Sequence, residues 1–292
     1  MARRSIHTSL VASLILLGLA LAPSAQATFH IVQIREVYPG SAANPQSEYV
    51  ELQMWQSGEN LVGGHFLRGY DAAGTALATS TMPSNVPNGA NQSTFLLATP
   101  QAEAQFGIAA DASLAPAGQL SPSGGAVCWE GIDCVAWGAF AGTLPSPTGA
   151  PAVPAGIPDG KALRRSIARG CSSLLDFEDD RDRSAADFAT ASPAPRPNSV
   201  APIERRCPQT ILRLTPAKRT GDRTPTFRFN ARGGASRFQC KLDRGPFRSC
   251  RSPSTTRPLA LGPHRFRVRA IGSQGNADPS PASYRFRVIR RG

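Results

Sequence analysis

A stretch of alternating apolar and polar residues sets the first constraint on how this chain folds. In the segment SEYVELQMW (47–55), the apolar Val50, Leu52 and Met54 fall on one side of an extended backbone, and polar residues fall on the other. A period of two residues is typical of a β-strand with one buried face. Two short apolar runs, HIVQIREVY and NLVGGHFL, flank this segment across turn-forming residues. We therefore predict turn-rich β-structure for residues 30–67.

The pattern of short strands continues along the rest of the chain. A buried strand is predicted at 94–98, one turn of helix at 101–106, and a hairpin with arms at 124–130 and 134–138. For Trp129 and Trp137 in that hairpin, packing in the core or against the hairpin is favoured over stacking on a ligand. A new set of strands follows Cys207, at 210–214, 225–229, 236–243, 264–270 and 284–288. Strands at this spacing are typical of a β-sandwich.

Short motifs in the first half match those of a known family in their order. They are Glu36-Val37, Glu48-Tyr49-Val50-Glu51-Leu52, Leu61-x-Gly63, Phe66-Leu67, Asp159 to Arg164, Ser184 to Phe188 and Pro193 to Ser199. In these motifs the region 28–200 resembles a lamin-tail domain. The resemblance implies a small immunoglobulin-like β-sandwich. It covers mainly structural positions, so it implies no catalytic residue.

The second half matches a different family at more positions. They are Phe227-x-Phe229, Phe238-x-Cys240-x-Leu242-Asp243, Gly245-Pro246-Phe247-x-x-Cys250, Ser252-Pro253, Val268-Arg269-Ala270 and Gly275-Asn276. In these residues the second half resembles a bacterial immunoglobulin-like repeat of exported actinobacterial proteins. Its strands are more basic than those of that family. The predicted fold is all-β: two immunoglobulin-like β-sandwich domains in tandem, at 28–200 and 207–292, joined by a linker at 201–206.

The first 27 residues predict a secretory signal peptide. A basic start at Arg3 and Arg4 precedes an almost wholly apolar run from Leu10 to Leu21, and the run ends before an A-x-A cleavage site at 25–27. The run is shorter than the ~20 residues that a transmembrane helix requires. We expect cleavage after Ala27 and export, with no membrane span.

Six cysteines, all beyond the predicted signal peptide, favour an oxidising compartment. Six cysteines allow 15 pairings. Proximity in sequence favours two bonds, Cys128 with Cys134 and Cys240 with Cys250. Cys171 and Cys207 are then left for each other, although the sequence does not fix this third pair.

The chain carries few of the residue types that catalysis requires. Beyond the predicted signal peptide it has three histidines, His30, His65 and His264, and none lies near a G-x-S-x-G motif, which is absent. A P-loop and a G-x-G-x-x-G motif are also absent. We therefore predict a protein that is not an enzyme, with no catalytic residue, no cofactor and no metal ligand.

The acidic run DFEDDRD (176–182) leaves two interpretations open. Closely spaced carboxylates are ligands that Ca²⁺ prefers. The run lacks the spacing and the glycine of an EF-hand, however, and Arg181 and Arg183 are interleaved with its acids. This favours an ion-paired or solvated loop over a calcium site.

Charge divides the chain into two unlike halves. Residues 28–206 contain 11 basic and 17 acidic residues, whereas residues 207–292 contain 19 basic and 3 acidic residues. Alternation in three strands of the second half places apolar residues inside and cations outside. The predicted outward cations are Arg237, Lys241, Arg265, Arg267, Arg269, Arg285 and Arg287. If these strands correspond to strands C, F and G of an immunoglobulin-like sandwich, the seven cations share one solvent face.

This face suggests a function without a catalytic centre. Arginine pairs bidentately with phosphate, so we expect the seven cations to bind an anionic polymer such as a cell-wall phosphate polymer, a glycan or DNA. The first hypothesis is a secreted, envelope-associated binding or adhesion protein, for which any attachment to the cell is expected to be non-covalent. The alternatives are an extracellular DNA-binding accessory protein and a structural spacer whose basic face is stabilised only by counterions.

Overall fold

A computed structural model describes residues 29–167, 170–204, 206–273 and 275–291. The predicted signal peptide lies outside the described residues. Within those ranges the protein is almost entirely β-structure, with three short helical elements: α1 (Pro100–Phe106), a 3-10 helix (Phe177–Asp179) and α2 (Ser184–Asp187). None of the described helices is long and apolar enough to cross a membrane.

The first half of the described chain folds as a sandwich of two sheets. Its strands are β1 (Val32–Tyr38), β2 (Tyr49–Met54), β3 (Phe66–Tyr70), β4 (Ala76–Thr81), β5 (Thr94–Ala98), β6 (Ala112–Ser113), β7 (Gly124–Trp129), β8 (Asp133–Gly138), β9 (Ala162–Arg165) and β10 (Phe188–Ala191). One sheet has the order β10-β9-β1-β2-β5-β6, and the other has the order β4-β3-β7-β8. This agrees with the all-β immunoglobulin-like fold that the sequence predicts.

Apolar residues from both sheets form one core between them. Trp129 and Trp137 are fully buried in this core, as the alternation of the β7–β8 hairpin requires. The ring of Phe95 meets Trp129 edge to face, with centroids 5.3 Å apart, and Trp137 Nε1 donates a hydrogen bond to Ser121 O. The packing role predicted for the two tryptophans is therefore confirmed.

The sequence predicts one buried face for β2, and the structure corrects this. Every residue of β2 is buried, including Glu51 and Gln53 on the face opposite the core. The cover is residues 192–204, here called the strap, which crosses the outer face of the six-stranded sheet. Arg196 of the strap places its Nη2 atom 3.0 Å from Glu51 Oε1. Because the strap pairs with Glu51 and accepts a hydrogen bond from Gln53, the polar side of β2 is a second buried face.

The strap also reaches the segment that the sequence predicts as a linker. Glu204 accepts hydrogen bonds from Gln53 Nε2 and from Arg196 Nη1, both at 2.8 Å. Two residues further on, Arg206 O accepts a hydrogen bond from Asn276 of the second half. The segment 201–206 is therefore held at Glu204 and at Arg206.

The second half of the described chain forms another two-sheet sandwich. Its strands are β11 (Gln209–Leu214), β12 (Arg219–Thr220), β13 (Thr226–Arg232), β14 (Ala235–Leu242), β15 (Arg248–Cys250), β16 (Ser254–Thr255), β17 (Gly262–Gly272) and β18 (Ala282–Val288). The sheets have the orders β11-β13-β16 and β12-β18-β17-β14-β15. Phenylalanines dominate the core between them, and the rings of Phe227 and Phe266 stack with centroids 3.9 Å apart.

Three disulfides connect the six cysteines. Cys128–Cys134 joins β7 to β8, and Cys240–Cys250 joins β14 to β15. Cys171–Cys207 spans 36 residues of sequence and closes the segment that contains the strap. All three pairs agree with the sequence prediction, including the third pair, which proximity alone did not fix.

A buried arginine links the two sheets of the first sandwich. Arg165 of β9 lies in the six-stranded sheet, and its Nη2 atom is 2.6 Å from Asp133 Oδ2 of β8 in the opposite sheet. The same guanidinium donates to Ile34 O, pairs with Asp180 at 3.0 Å and lies over the ring of Phe188. A single side chain therefore fastens both sheets and the acidic run.

We expect Arg165→Met to lower the free energy of unfolding by about 3–5 kcal/mol, because it leaves the buried Asp133 carboxylate without its cation. Arg183→Met is the matched control, since the Arg183 side chain is exposed. A surface substitution of this kind changes stability by less than about 0.5 kcal/mol. Urea unfolding followed by fluorescence of the buried tryptophans measures both. Equal effects in the two variants would contradict the role given to Arg165.

Candidate anion-binding face

The seven predicted cations lie on three neighbouring strands of one sheet. In the order β12-β18-β17-β14-β15, the strand β17 runs between β18 and β14. This is the arrangement expected if the three strands correspond to C, F and G of an immunoglobulin-like sandwich. Their inward residues, among them Phe266, Val268 and Phe286, belong to the core.

The register of the strands places the cations in rows across the sheet. Arg265 lies opposite Arg285, and Arg267 lies opposite Lys241. Residues directly opposite each other on neighbouring strands share a face. Arg269 continues the row along β17, opposite Gln239. The structure thus brings like charges side by side on the outer surface.

The two ends of the face differ. Arg237 is exposed and lies opposite the buried Ile271, next to an irregularity in β14. At the other end, Arg287 of β18 lies opposite Arg219 of the short edge strand β12. Arg219 is exposed and adds an eighth cation that sequence reasoning missed. A strand of two residues is too short to show alternation in the sequence. Arg219 is therefore placed on the face only by the pairing of β12 with β18.

The cations of the face lack carboxylate partners. In the part of the chain that the structure describes, none of the seven forms an ion pair. Arg265 Nε donates to Ser283 Oγ and Arg269 Nε donates to Gln239 Oε1, both neutral acceptors. Nε of Arg267, in the middle of β17, is shielded from solvent and has no hydrogen-bond partner within the described residues. The positive charge of the face is therefore not neutralised internally.

An aromatic side chain borders the cations. Phe247, between β14 and β15, has its ring centroid 4.3 Å from the guanidinium carbon of Arg269 and 5.7 Å from Lys241 Nζ. Cations at these distances are attracted to the negative face of the ring. Phe247 is half-buried and lies beside both cations. The Gly245-Pro246 turn before it is the sequence signal that could have placed it here.

A histidine at the start of β17 shapes one side of the face. His264 Nδ1 is 2.8 Å from Asp243 Oδ2, and His264 Nε2 is 2.9 Å from Ala260 O. Burial opposes the charged form of His264, but the hydrogen bonds to Ala260 O and Asp243 outweigh it and raise the pKa of the imidazole. Asp243 also accepts a hydrogen bond from the backbone N–H of Arg265. The Asp243 carboxylate thus binds groups at the start of β17 and does not form an ion pair with a cation of the face.

The other histidines lie far from the face in the sequence and belong to the first half. His65 Nδ1 is 3.0 Å from Glu130 Oε1, and its ring stacks on Phe29. His30 is exposed. Within the described residues, no group of three or more His, Cys, Asp or Glu side chains is arranged to hold a metal ion.

The acidic run is largely engaged by other contacts. Asp176 caps the 3-10 helix, and Asp180 pairs with Arg165. Arg181, inside the run, pairs with Asp187 at 2.6 Å. These contacts favour the ion-paired loop over the calcium site, the two interpretations that the sequence left open.

Comparisons with known proteins assign no family to this chain. No family model matches the chain, and no curated protein matches it either. Among solved structures, the chain is similar to fibronectin(III)-like modules of CbhA from Clostridium thermocellum, at 12% identity and a TM-score of 0.25. That match covers 92% of this chain and 93% of the other. The fold therefore rests on the sheets and cores described above, and the resemblances to the two sequence families stay predictions.

We expect His264 to titrate above the ordinary histidine value of about 6.5, because both ring nitrogens face acceptors. A raised pKa in the folded state means that the charged ring stabilises the fold fully below about pH 6.5, and that this contribution is lost as pH rises through the folded-state pKa. Two-dimensional NMR of the imidazole carbons measures the midpoint of His264. A midpoint at or below the ordinary value of about 6.5 would contradict the hydrogen-bond arrangement.

Proposed function

We propose that this chain is an exported, non-enzymatic binding protein whose second sandwich engages an anionic polymer through its basic sheet face. The observation that carries the proposal is the absence of any carboxylate partner for the seven cations within the described residues. Cations that are crowded on neighbouring strands repel one another. An anionic partner relieves this repulsion and supplies the missing acceptors.

Arginines of the first half behave in the opposite way, which supports the proposal. Arg164, Arg165, Arg181 and Arg196 each pair with a buried carboxylate. Arginine is thus paired with buried acids at these positions of the first half, whereas the seven cations of the face have no such partner among the described residues.

The geometry of the face suits a polymer better than a small anion. Alternate residues on a strand are about 6.6–6.8 Å apart, so Arg265, Arg267 and Arg269 form a regular line along β17. Lys241 and Arg285 flank this line on the neighbouring strands. A row of guanidinium groups on an open sheet can contact successive phosphates or sulfates of an extended chain, each bidentately.

Two features of the chain support a location outside the cell. The sequence predicts a cleaved signal peptide, the six cysteines form three disulfides, and disulfides persist in oxidising compartments. We place the protein in the extracellular space or at the cell envelope, held there by non-covalent contacts. The partner then belongs to the anionic polymers of that environment.

An extracellular DNA-binding accessory protein is the second candidate. The observation that favours it is Phe247, because single-stranded nucleic acids bind to basic surfaces that also offer aromatic rings for stacking. The ring borders Lys241 and Arg269, so a base could reach it while its phosphate contacts the cations. Envelope phosphate polymers and sulfated glycans have no aromatic unit to place there.

We expect the triple variant Arg265→Gln, Arg267→Gln, Arg287→Gln to lose most polyanion binding while it stays folded. The probes are oligothymidylate, linear polyphosphate and dextran sulfate, with neutral dextran as the blank. Calorimetry at two salt concentrations gives the affinity and its salt dependence. For the single-stranded probe, the slope of log affinity against log salt should fall in magnitude by about two, as expected when three phosphate contacts are removed.

A charge-matched control separates the face from net charge. Arg213, Arg228 and Arg232 are exposed on β11 and β13, in the other sheet of the same sandwich. Their joint replacement by Gln removes the same three charges and should leave binding nearly unchanged. Equal losses in the two variants would show non-specific attraction. If the parent protein binds none of the probes, the structural-spacer alternative is favoured. If it binds oligothymidylate alone, the DNA-binding alternative is favoured.

A further inference from the structure

A cavity of about 660 Å³ lies at the end of the basic face where β17 begins. Residues of β17, of β18 and of the turn between β14 and β15 line it. Four of these lining residues are arginines: Arg244, Arg265, Arg267 and Arg285. Three separate segments of the chain thus bring cationic side chains to one cavity, whereas the rest of the face is an open row.

The four arginines of the cavity have no acidic partner. None of them forms an ion pair with a residue that the structure describes. Arg244 and Arg285 are exposed, so their guanidinium groups are accessible from solvent. Arg267 Nε, in contrast, is shielded from solvent and lacks an acceptor among the described residues. A shielded donor without an acceptor is unfavourable, and an anion in the cavity can supply the acceptor.

Asp243 contributes a carboxylate to the lining, and both of its oxygens are engaged. Oδ1 accepts a hydrogen bond from Arg265 N–H at 2.7 Å, and Oδ2 lies 2.8 Å from His264 Nδ1. His264 Nε2 faces Ala260 O at 2.9 Å. Because both partners of the ring are acceptors, both ring nitrogens carry protons in this arrangement. The charged imidazole therefore balances Asp243, and the charge of the four arginines remains available for a ligand.

The charge collected in this cavity fits a terminal phosphate better than an internal one. A phosphodiester within a polymer carries one negative charge and two free oxygens. A phosphomonoester at a chain end carries about −1.5 to −2 charges near pH 7 and three acceptor oxygens. Guanidinium groups pair bidentately with phosphate oxygens, so several of them can share one monoester. The single line of cations along β17 instead suits the internal phosphates that follow.

We propose that the cavity at the start of β17 binds the terminal phosphomonoester of an anionic polymer, whose next units extend along the cations of β17. Binding forms and breaks no covalent bond. The inference rests on the proposed function, because it assigns the end of the polymer that the face binds. The end of a nucleic acid and the end of a linear inorganic phosphate chain both carry this group.

The test compares two oligothymidylates on the full chain by calorimetry at about pH 7. One probe has a 5′-phosphate, and the other has a 5′-hydroxyl and is two nucleotides longer, so that the total charges match. We expect the parent protein to bind the phosphorylated probe roughly tenfold more tightly, the factor that one charge-assisted hydrogen bond supplies. Net charge alone predicts equal affinities for the two probes.

Arg244→Gln tests the cavity without altering the seven cations of the face. Arg244 is exposed, so the variant should stay folded, bind the 5′-hydroxyl probe nearly as the parent does and lose the tenfold preference. Arg251→Gln is the matched control, because Arg251 is also exposed but does not line the cavity. It should keep the preference. An equal loss of preference in the two variants would overturn the inference.

A second pair of probes separates the two sources of the end group. Linear tripolyphosphate has terminal phosphates, whereas cyclic trimetaphosphate has none. A preference for the linear form that disappears in Arg244→Gln but not in Arg251→Gln supports an inorganic phosphate end as ligand. A preference confined to the oligothymidylate pair supports a nucleic-acid end.

The same measurements distinguish failure of this inference from failure of the proposed function. If the parent protein binds the probes but shows no preference in either pair, the end-group site is wrong and polyanion binding by the face stands. If the parent protein binds none of the probes, the proposed function is wrong and the end-group site is wrong with it.

Discussion

The buried ion pair between Arg165 and Asp133 is the interaction on which the first sandwich most depends. Asp133 also accepts a hydrogen bond from Ile34 N–H at 2.6 Å, and Arg165 donates to the carbonyl oxygen of the same residue. Two charged groups taken out of water are tolerated only where further hydrogen bonds complete their shells. Here Ile34 supplies a hydrogen bond to each charged group and Asp180 adds a second ion pair to Arg165, so that β1, β8, β9 and the acidic run are held in one arrangement.

Hydrogen bonds to buried polar groups also hold the strap over the outer face of the six-stranded sheet. Glu36 accepts a hydrogen bond from Ala194 N–H, and Asn198 Nδ2 donates to Thr94 O of β5. A Pro-rich segment has few amide donors of its own, so side chains of the sheet and of the strap supply most of the contacts. The strap continues to Glu204 and then to the Cys171–Cys207 disulfide, which joins the two halves covalently.

Sequence reasoning reached the strands and the disulfides because both leave local signals, such as alternation and short cysteine spacing. It failed where the decisive partner is distant in the sequence. The second buried face of β2 depends on Arg196, which lies 145 residues from Glu51. Arg219 joins the basic face only because the short strand β12 pairs in parallel with β18. Neither contact produces a periodic pattern in the sequence, so neither can be predicted from a single sequence.

The basic face is not a requirement of the fold that carries it. The second sandwich is held by its phenylalanine core and by the Cys240–Cys250 disulfide, and none of the seven cations belongs to that core cluster. A directly opposed like-charge pair such as Arg265 and Arg285 costs a fraction of the ~0.2–1 kcal/mol typical of cross-strand pairs. Uncharged polar residues such as Ser283 would avoid that cost at the same positions. The charges destabilise the fold slightly, and nothing described in the chain neutralises them. Both facts support the proposal that the face binds an anionic polymer.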